Sequence, residues 1–174
     1  MPETKPALEW INGRAVQKVS PQRKHALAQT EFAIALGSWA RATGAGMVGT
    51  EWRFQIEPPG EVRRPLVPDV AFLSYKRLPY AEQLETEVPR IAPDLAIEVH
   101  SPDDRLADIE EKVRVYLAAG THAVVLVDPA DQSVTIREPR NSRRLERTDV
   151  FESASVPGFR MDVMELFTPP IPKS

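Results

Sequence analysis

Apolar residues recur along this chain in two periods, and the switches between them mark the expected elements. Trp10 to Val19 reads as an edge strand or hairpin with Asn12-Gly13 at its turn. Ser20 offers an N-cap and Pro21 a first helical residue, and Ala28, Phe32, Ala35, Leu36 and Trp39 then follow at helical spacing, so a helix over about 21–43, closed by Gly44, is expected. From Val48 to Glu57 the period is two: Val48, Trp52, Phe54 and Ile56 on one face, Glu51, Arg53, Gln55 and Glu57 on the other, the pattern of a half-exposed strand. Pro58-Pro59-Gly60 turns the chain into a second strand over Val67–Leu73, where Asp69 shares a face with Ala71 and Leu73. Ser74 to Pro93 reads as a polar loop with one helical turn.

The pattern sharpens after Pro93. Asp94 to His100 is a strand with Leu95, Ile97 and Val99 on one face and Ala96 and Glu98 on the other. Ser101 and Asp104 around Pro102 form a capping-box pattern, and Leu106, Ile109, Val113, Tyr116 and Leu117 make the apolar stripe of a helix that ends at Gly120. Asp108 and Lys112, four residues apart, sit together on its flank. Ala123 to Val127 is apolar throughout, as a strand buried on both faces would be, and Val134 to Glu138 is its antiparallel neighbour. Arg140 to Arg147 reads as a basic loop, Val156–Phe159 as a closing strand, Val163–Phe167 as a short helical cap and 169–174 as a proline-rich tail.

These alternations of strand and helix predict an α/β (α+β-like) chain of one domain over 1–174, with its core at about 10–167 and a flexible N-terminus. Composition narrows the functions. With 42% hydrophobic and 27% charged residues the chain is an ordinary globular sequence, and no apolar run approaches a membrane span. It contains no cysteine, which excludes a thiol nucleophile, a thiolate cluster and a disulfide framework; a cytoplasmic setting is expected. A net charge of −3 argues against a strongly basic nucleic-acid coat, though not against a local basic surface. Gly44-Ala-Gly46-Met-Val-Gly49 matches GxGxxG but follows a helix and leads into a strand, the reverse of a dinucleotide site, so its glycines are assigned to turns.

The candidate chemistry begins with Glu98. A lone carboxylate on a buried strand must be compensated by a metal ion, a lysine or both, because an unpaired buried charge is costly. Asp69 on one strand, Glu98 on another, and Asp108 with Lys112 on the following helix would suit phosphodiester hydrolysis. Mg²⁺ or Mn²⁺ is held by one or two carboxylates, and an ammonium can orient the attacking water or stabilise added negative charge. Each residue also has a plainer use: Asp69 in a turn after Pro68, Lys112 as a solvated partner of Asp108, Glu98 against an arginine. Glu51 is a further acid for the cluster or a solvated edge charge. His25 reads as an exposed helix residue, and His100 either tunes the site or ends the strand. Phosphate contacts are sought at Arg63, Arg64, Lys76 and Arg77 near Asp69 and at Arg143 and Arg144, all of which equally suit a solvated surface.

Val67-Pro68-Asp69-Val70-Ala71-Phe72, then Pro93 to Pro102, then Asp108, Lys112, Tyr116 and Gly120, and finally Val127-Asp128-Pro129, resemble the Uma2 family of the PD-(D/E)XK nuclease superfamily. The resemblance runs from about Ser20 to Phe167. It implies a restriction-endonuclease-like fold with a central mixed β-sheet flanked by α-helices, a Mg²⁺- or Mn²⁺-dependent DNA endonuclease, and Asp69 and Glu98 as metal ligands. The superfamily pattern carries a lysine two residues after the second acid, where this chain has His100; the resemblance moves that role to Lys112, with Asp108 orienting it or accepting a second metal. DNA is the expected substrate; the sequence leaves oligomeric state open, with a homodimer as one option because nucleases that cut both strands often pair by a two-fold axis. A non-catalytic nuclease-like module that binds nucleic acid or protein is the alternative.

Overall fold

The structure, a computed structural model, describes residues 8–17 and 22–173. Leu8–Ile11 (β1) and Arg14–Gln17 (β2) form the expected hairpin; Asn12 and Gly13 carry it round with φ of 49° and 73°, the positive pair that a two-residue turn requires. The following helix spans Arg23–Thr43 (α1) with Gln22 as N-cap; the expected cap at Ser20 and Pro21 lies outside the described residues. Ala28, Phe32, Leu36 and Ala40 form its buried stripe, and Gly44, at φ 63°, donates its N–H to the Ala40 carbonyl and stops it.

The strand expected over Val48–Glu57 is two strands. Gly46–Thr50 (β3) ends at Glu51, whose φ of 51° bends the backbone, and Phe54–Ile56 (β4) leaves to pair with Arg64–Leu66 (β5) in a separate ribbon. Alternation survives such a bend, so the period alone conceals it. Val70–Ser74 (β6), the short helix Tyr80–Leu84 (α2), Leu95–Val99 (β7), Leu106–Ala118 (α3) and Ala123–Asp128 (β8) follow. The α3 helix starts later than the capping pattern implied. Asp104 Oδ2 accepts the Ser101 N–H, but this closes a turn ahead of the helix, Arg105 is the N-cap, and Leu106 is exposed rather than part of the buried stripe.

Ser133–Glu138 (β9) pairs with β8 as expected, while the basic stretch read as a loop contains a strand, Asn141–Leu145 (β10). The expected closing strand at 156–159 is a turn, with the Phe159 N–H donating to the Val156 carbonyl; Val150–Phe151 (β11) and Met161–Asp162 (β12) pair around it, and a 3₁₀ turn over Val163–Leu166 supplies the cap.

The central sheet has the order β10-β9-β8-β7-β6-β3. Its neighbours are antiparallel except β7 and β8, which run parallel with α3 as their crossover. One face packs Leu95, Ile97, Val99, Val125 and Val127 against Phe32 and Leu36 of α1; the other packs Ala71, Leu73, Ala96, Val124 and Leu126 against Val113 and Tyr116 of α3. Each fully buried large side chain contributes about 1.5–3 kcal/mol. Strands β7 and β8 are therefore the most constrained part of the sheet, and their ends are where a side chain can be placed with precision. Among the described residues no helix is long and apolar enough to cross a membrane.

Candidate active site

β6 and β7 set the acids. Their antiparallel register pairs Val70 with Ile97, and one further step puts Asp69 opposite Glu98. Residues directly opposite point to the same face with Cβ atoms roughly 4.5–5.5 Å apart. Asp69 is 1% exposed, and its Oδ2 accepts the Val99 N–H at 2.7 Å. Glu98, 6% exposed, faces α3: Lys112 Nζ lies 2.9 Å from Oε2, and Tyr116 donates its O–H to Oε1 at 3.2 Å. Lys112 and Tyr116 can share one carboxylate because four residues make one helical turn.

A third acid comes from the N-terminal hairpin. Glu9 on β1 is 4% exposed; its Oε1 accepts the Val67 N–H at 3.0 Å, and its Oε2 lies 2.8 Å from Lys112 Nζ. Burial acts to lower the Lys112 pKa, but the charges of Glu98 and Glu9 outweigh it and hold the ammonium above the ordinary lysine value. Burial and the same two carboxylates push the Tyr116 phenol up as well, so it remains a donor to Glu98.

Glu9, Asp69, Glu98, Lys112 and Glu51 line one cavity of about 560 Å³. Gln29 ties Glu51 to this group: its side-chain amide donates to Glu51 Oε1 and to the Asp69 carbonyl, each at 3.0 Å. Asp108 lines the cavity too, but its carboxylate meets Arg14 at 2.7 Å and Asn12 at 3.0 Å rather than Lys112; the expected Asp108–Lys112 pairing is replaced by Lys112 with Glu9 and Glu98. His25 is buried, not exposed, with Nε2 3.4 Å from Asp69 Oδ2. His100 also lines the cavity; its backbone N–H extends the β8 pairing to Val127, and its Nδ1 lies 4.0 Å from Asp128.

The basic side chains sought for phosphate lie elsewhere, and none lines this cavity. Arg64 is buried against Glu111 at 2.5 Å and Glu61 at 3.4 Å, and Arg63 pairs with Glu57. Arg77 donates to the carbonyls of Ala92, Pro93 and Gly120, Arg143 to that of Glu152, and Arg144 bridges Asp131 and Glu146; Lys76 is exposed. Arg14 and Arg105 are the arginines at the cavity. Sequence reasoning missed Glu9, since nothing local ties residue 9 to residue 112. His25 was readable: it stands three residues before Ala28, on the buried stripe of α1.

Among the described residues no three His, Asp or Glu side chains converge as a ready-made metal cage. The donor set still fits a hard divalent cation. Mg²⁺ needs only one or two carboxylates when water and substrate oxygens complete its shell, and Asp69 and Glu98 reach one cavity from adjacent strands.

A family model described as "Putative restriction endonuclease", Uma2, matches residues 1–164. Among solved structures the chain is similar to the crystal structure of a putative nuclease belonging to DUF820 from Anabaena variabilis ATCC 29413, with 28% identity over 96% of this chain and 93% of that chain and a TM-score of 0.82. That likeness agrees with the expected nuclease-like fold, a central mixed six-stranded sheet with a few helices. No curated protein matches the sequence.

Proposed function

The chain belongs to the Uma2 family, and from that premise we propose that it is a Mg²⁺- or Mn²⁺-dependent DNA endonuclease in which Asp69 and Glu98 hold the cation. The observation that carries this reading is the register that sets Asp69 opposite Glu98, both lining a cavity they share with Lys112.

When bound, the cation supplies positive charge that polarises the scissile phosphate and eases deprotonation of the attacking water. Everything else falls to the chain. Lys112 stays protonated and so acts as donor rather than base; Glu9 and Glu98 occupy two of its three N–H groups, and the third serves the water or a phosphate oxygen. Tyr116 fixes the rotamer of Glu98, and the Val99 N–H fixes that of Asp69, so both acids are oriented before substrate arrives. Arg14 and Arg105 line the same cavity and would receive the phosphates flanking the cut.

Incubating the purified chain with supercoiled DNA tests this. Nicking is expected with Mg²⁺ or Mn²⁺ and not with chelator, and Asp69→Asn or Glu98→Gln should abolish it; nicking that survives both substitutions overturns the site. One observation favours the non-catalytic module: both Glu98 oxygens are already engaged, by Lys112 and Tyr116. Calorimetry separates the two, because nucleic-acid binding without any divalent binding selects the module.

A further inference from the structure

A second cavity, of about 580 Å³, adjoins the acid cavity and shares His25, His100, Ser101, Asp104 and Ile109 with it. Its composition differs. Pro102, Ile109, Pro129 and Ala130 supply apolar surface, and Arg23 and Lys24 bring positive charge to one side. Two imidazoles complete the wall, His25 and His100, whose Nδ1 and Nε2 respectively are buried and have no hydrogen-bond partner. The other ring nitrogen of each histidine is placed against an acid, His25 Nε2 at 3.4 Å from Asp69 and His100 Nδ1 at 4.0 Å from Asp128. The carboxylates at the rim are held back by their own backbone, Asp104 Oδ2 by the Ser101 N–H and Asp128 Oδ1 by the Ala130 N–H.

We propose that this cavity is a nucleobase subsite, which takes the base of the nucleotide adjoining the phosphodiester bound at Asp69 and Glu98, unstacked from its neighbours. The reading rests on the proposed nuclease function. A nucleotide matches the lining part by part: a flat heteroaromatic ring for the walls of proline, isoleucine, alanine and the two histidines, and a phosphate for Arg23 and Lys24. Continuity with the acid cavity places that nucleotide next to the bond to be cut. A base inserted here has left its helix, so the subsite favours single-stranded or locally unpaired substrate.

The test is a titration of the full chain with deoxyadenosine 5′-monophosphate in chelator, followed through the histidine ring resonances by NMR. Saturable shifts at His25 and His100 are expected. Ala130 is exposed on the turn after β8, so Ala130→Trp should fill the cavity, leave the Tm unchanged and weaken the nucleotide by at least about 10-fold. Equal affinity in the variant, no saturable binding by the wild type, or inorganic phosphate binding as tightly as the nucleotide would each overturn the subsite. The titration involves neither cation nor cleavage, so nicking assays score the proposed function separately.

Discussion

Strand β7 is flanked by one buried acid and carries another near its far end, and the two are used in opposite ways. Asp94, 5% exposed, is stitched into the fold: its carboxylate accepts the Ser74 N–H at 2.7 Å and the Ser74 O–H at 3.1 Å, with Arg77 Nε at 3.6 Å and His122 Nδ1 at 3.7 Å. Arg77 then donates to three carbonyls around it, which locks the β6, β7 and β8 ends together. Glu98 is as deeply buried but opens on a cavity, beside Asp69 and under a lysine shared with Glu9. Burial of a carboxylate is therefore no mark of function by itself. Both carboxylates meet donors; what separates the two is that Glu98 also lines a cavity, whereas Asp94 does not line it.

The sharpest way to break the comparison is to neutralise each acid with its shape kept. Asp69→Asn or Glu98→Gln should cost nicking at least about 10³-fold, equivalent to about 4 kcal/mol of barrier, while thermal unfolding moves little. Next in size is Lys112→Ala, which strands Glu9 and Glu98 without their ammonium and should cost about 3 kcal/mol of stability by urea unfolding. Adding Glu9→Gln should recover part of that loss. Asp94→Asn should lower stability by about 2 kcal/mol yet leave turnover per folded molecule unchanged; a nicking loss to match Glu98→Gln would collapse the distinction.

A smaller effect comes from the ribbon side of α3. Hydrogen bonding from Arg114 holds the Glu111 carboxyl down to about 2 against the opposing effect of burial, with Arg64 assisting. Its folded value lies below the ordinary 4.5, so its contribution is present above pH 4.5 and is lost as pH falls toward 2. Glu111→Gln should flatten that acid limb in a series of urea midpoints. Smallest of all, Arg14→Ala removes a half-exposed pair with Asp108 and should cost about 0.5 kcal/mol.

The β7–α3–β8 unit was legible in the sequence because its order is local: period two, a break at Ser101-Pro102, period 3.6, then an all-apolar strand. That unit alone places Glu98, Lys112 and Tyr116 together. Asp69 followed from the strand before it. Glu9 did not, because its partner is reached only through the docking of a hairpin across α3, and no periodicity encodes that. Glu51 illustrates a different failure: alternation reports which face a residue takes and is blind to a backbone that turns at positive φ. The arginines misled for a third reason. Composition counts charges, whereas Arg64, Arg77 and Arg144 are occupied by carboxylates and carbonyls that lie far from them in the chain or across a strand pair.

The Glu9 contact also has a consequence in time. The hairpin precedes α3 in the chain, so during synthesis Glu9 exists long before Lys112, and until that lysine is made the glutamate has no ammonium to meet. Burying Glu9 before Lys112 exists would leave its charge without the ammonium it meets in the finished fold, so seating of the hairpin on α3 is favoured only once synthesis has passed residue 112.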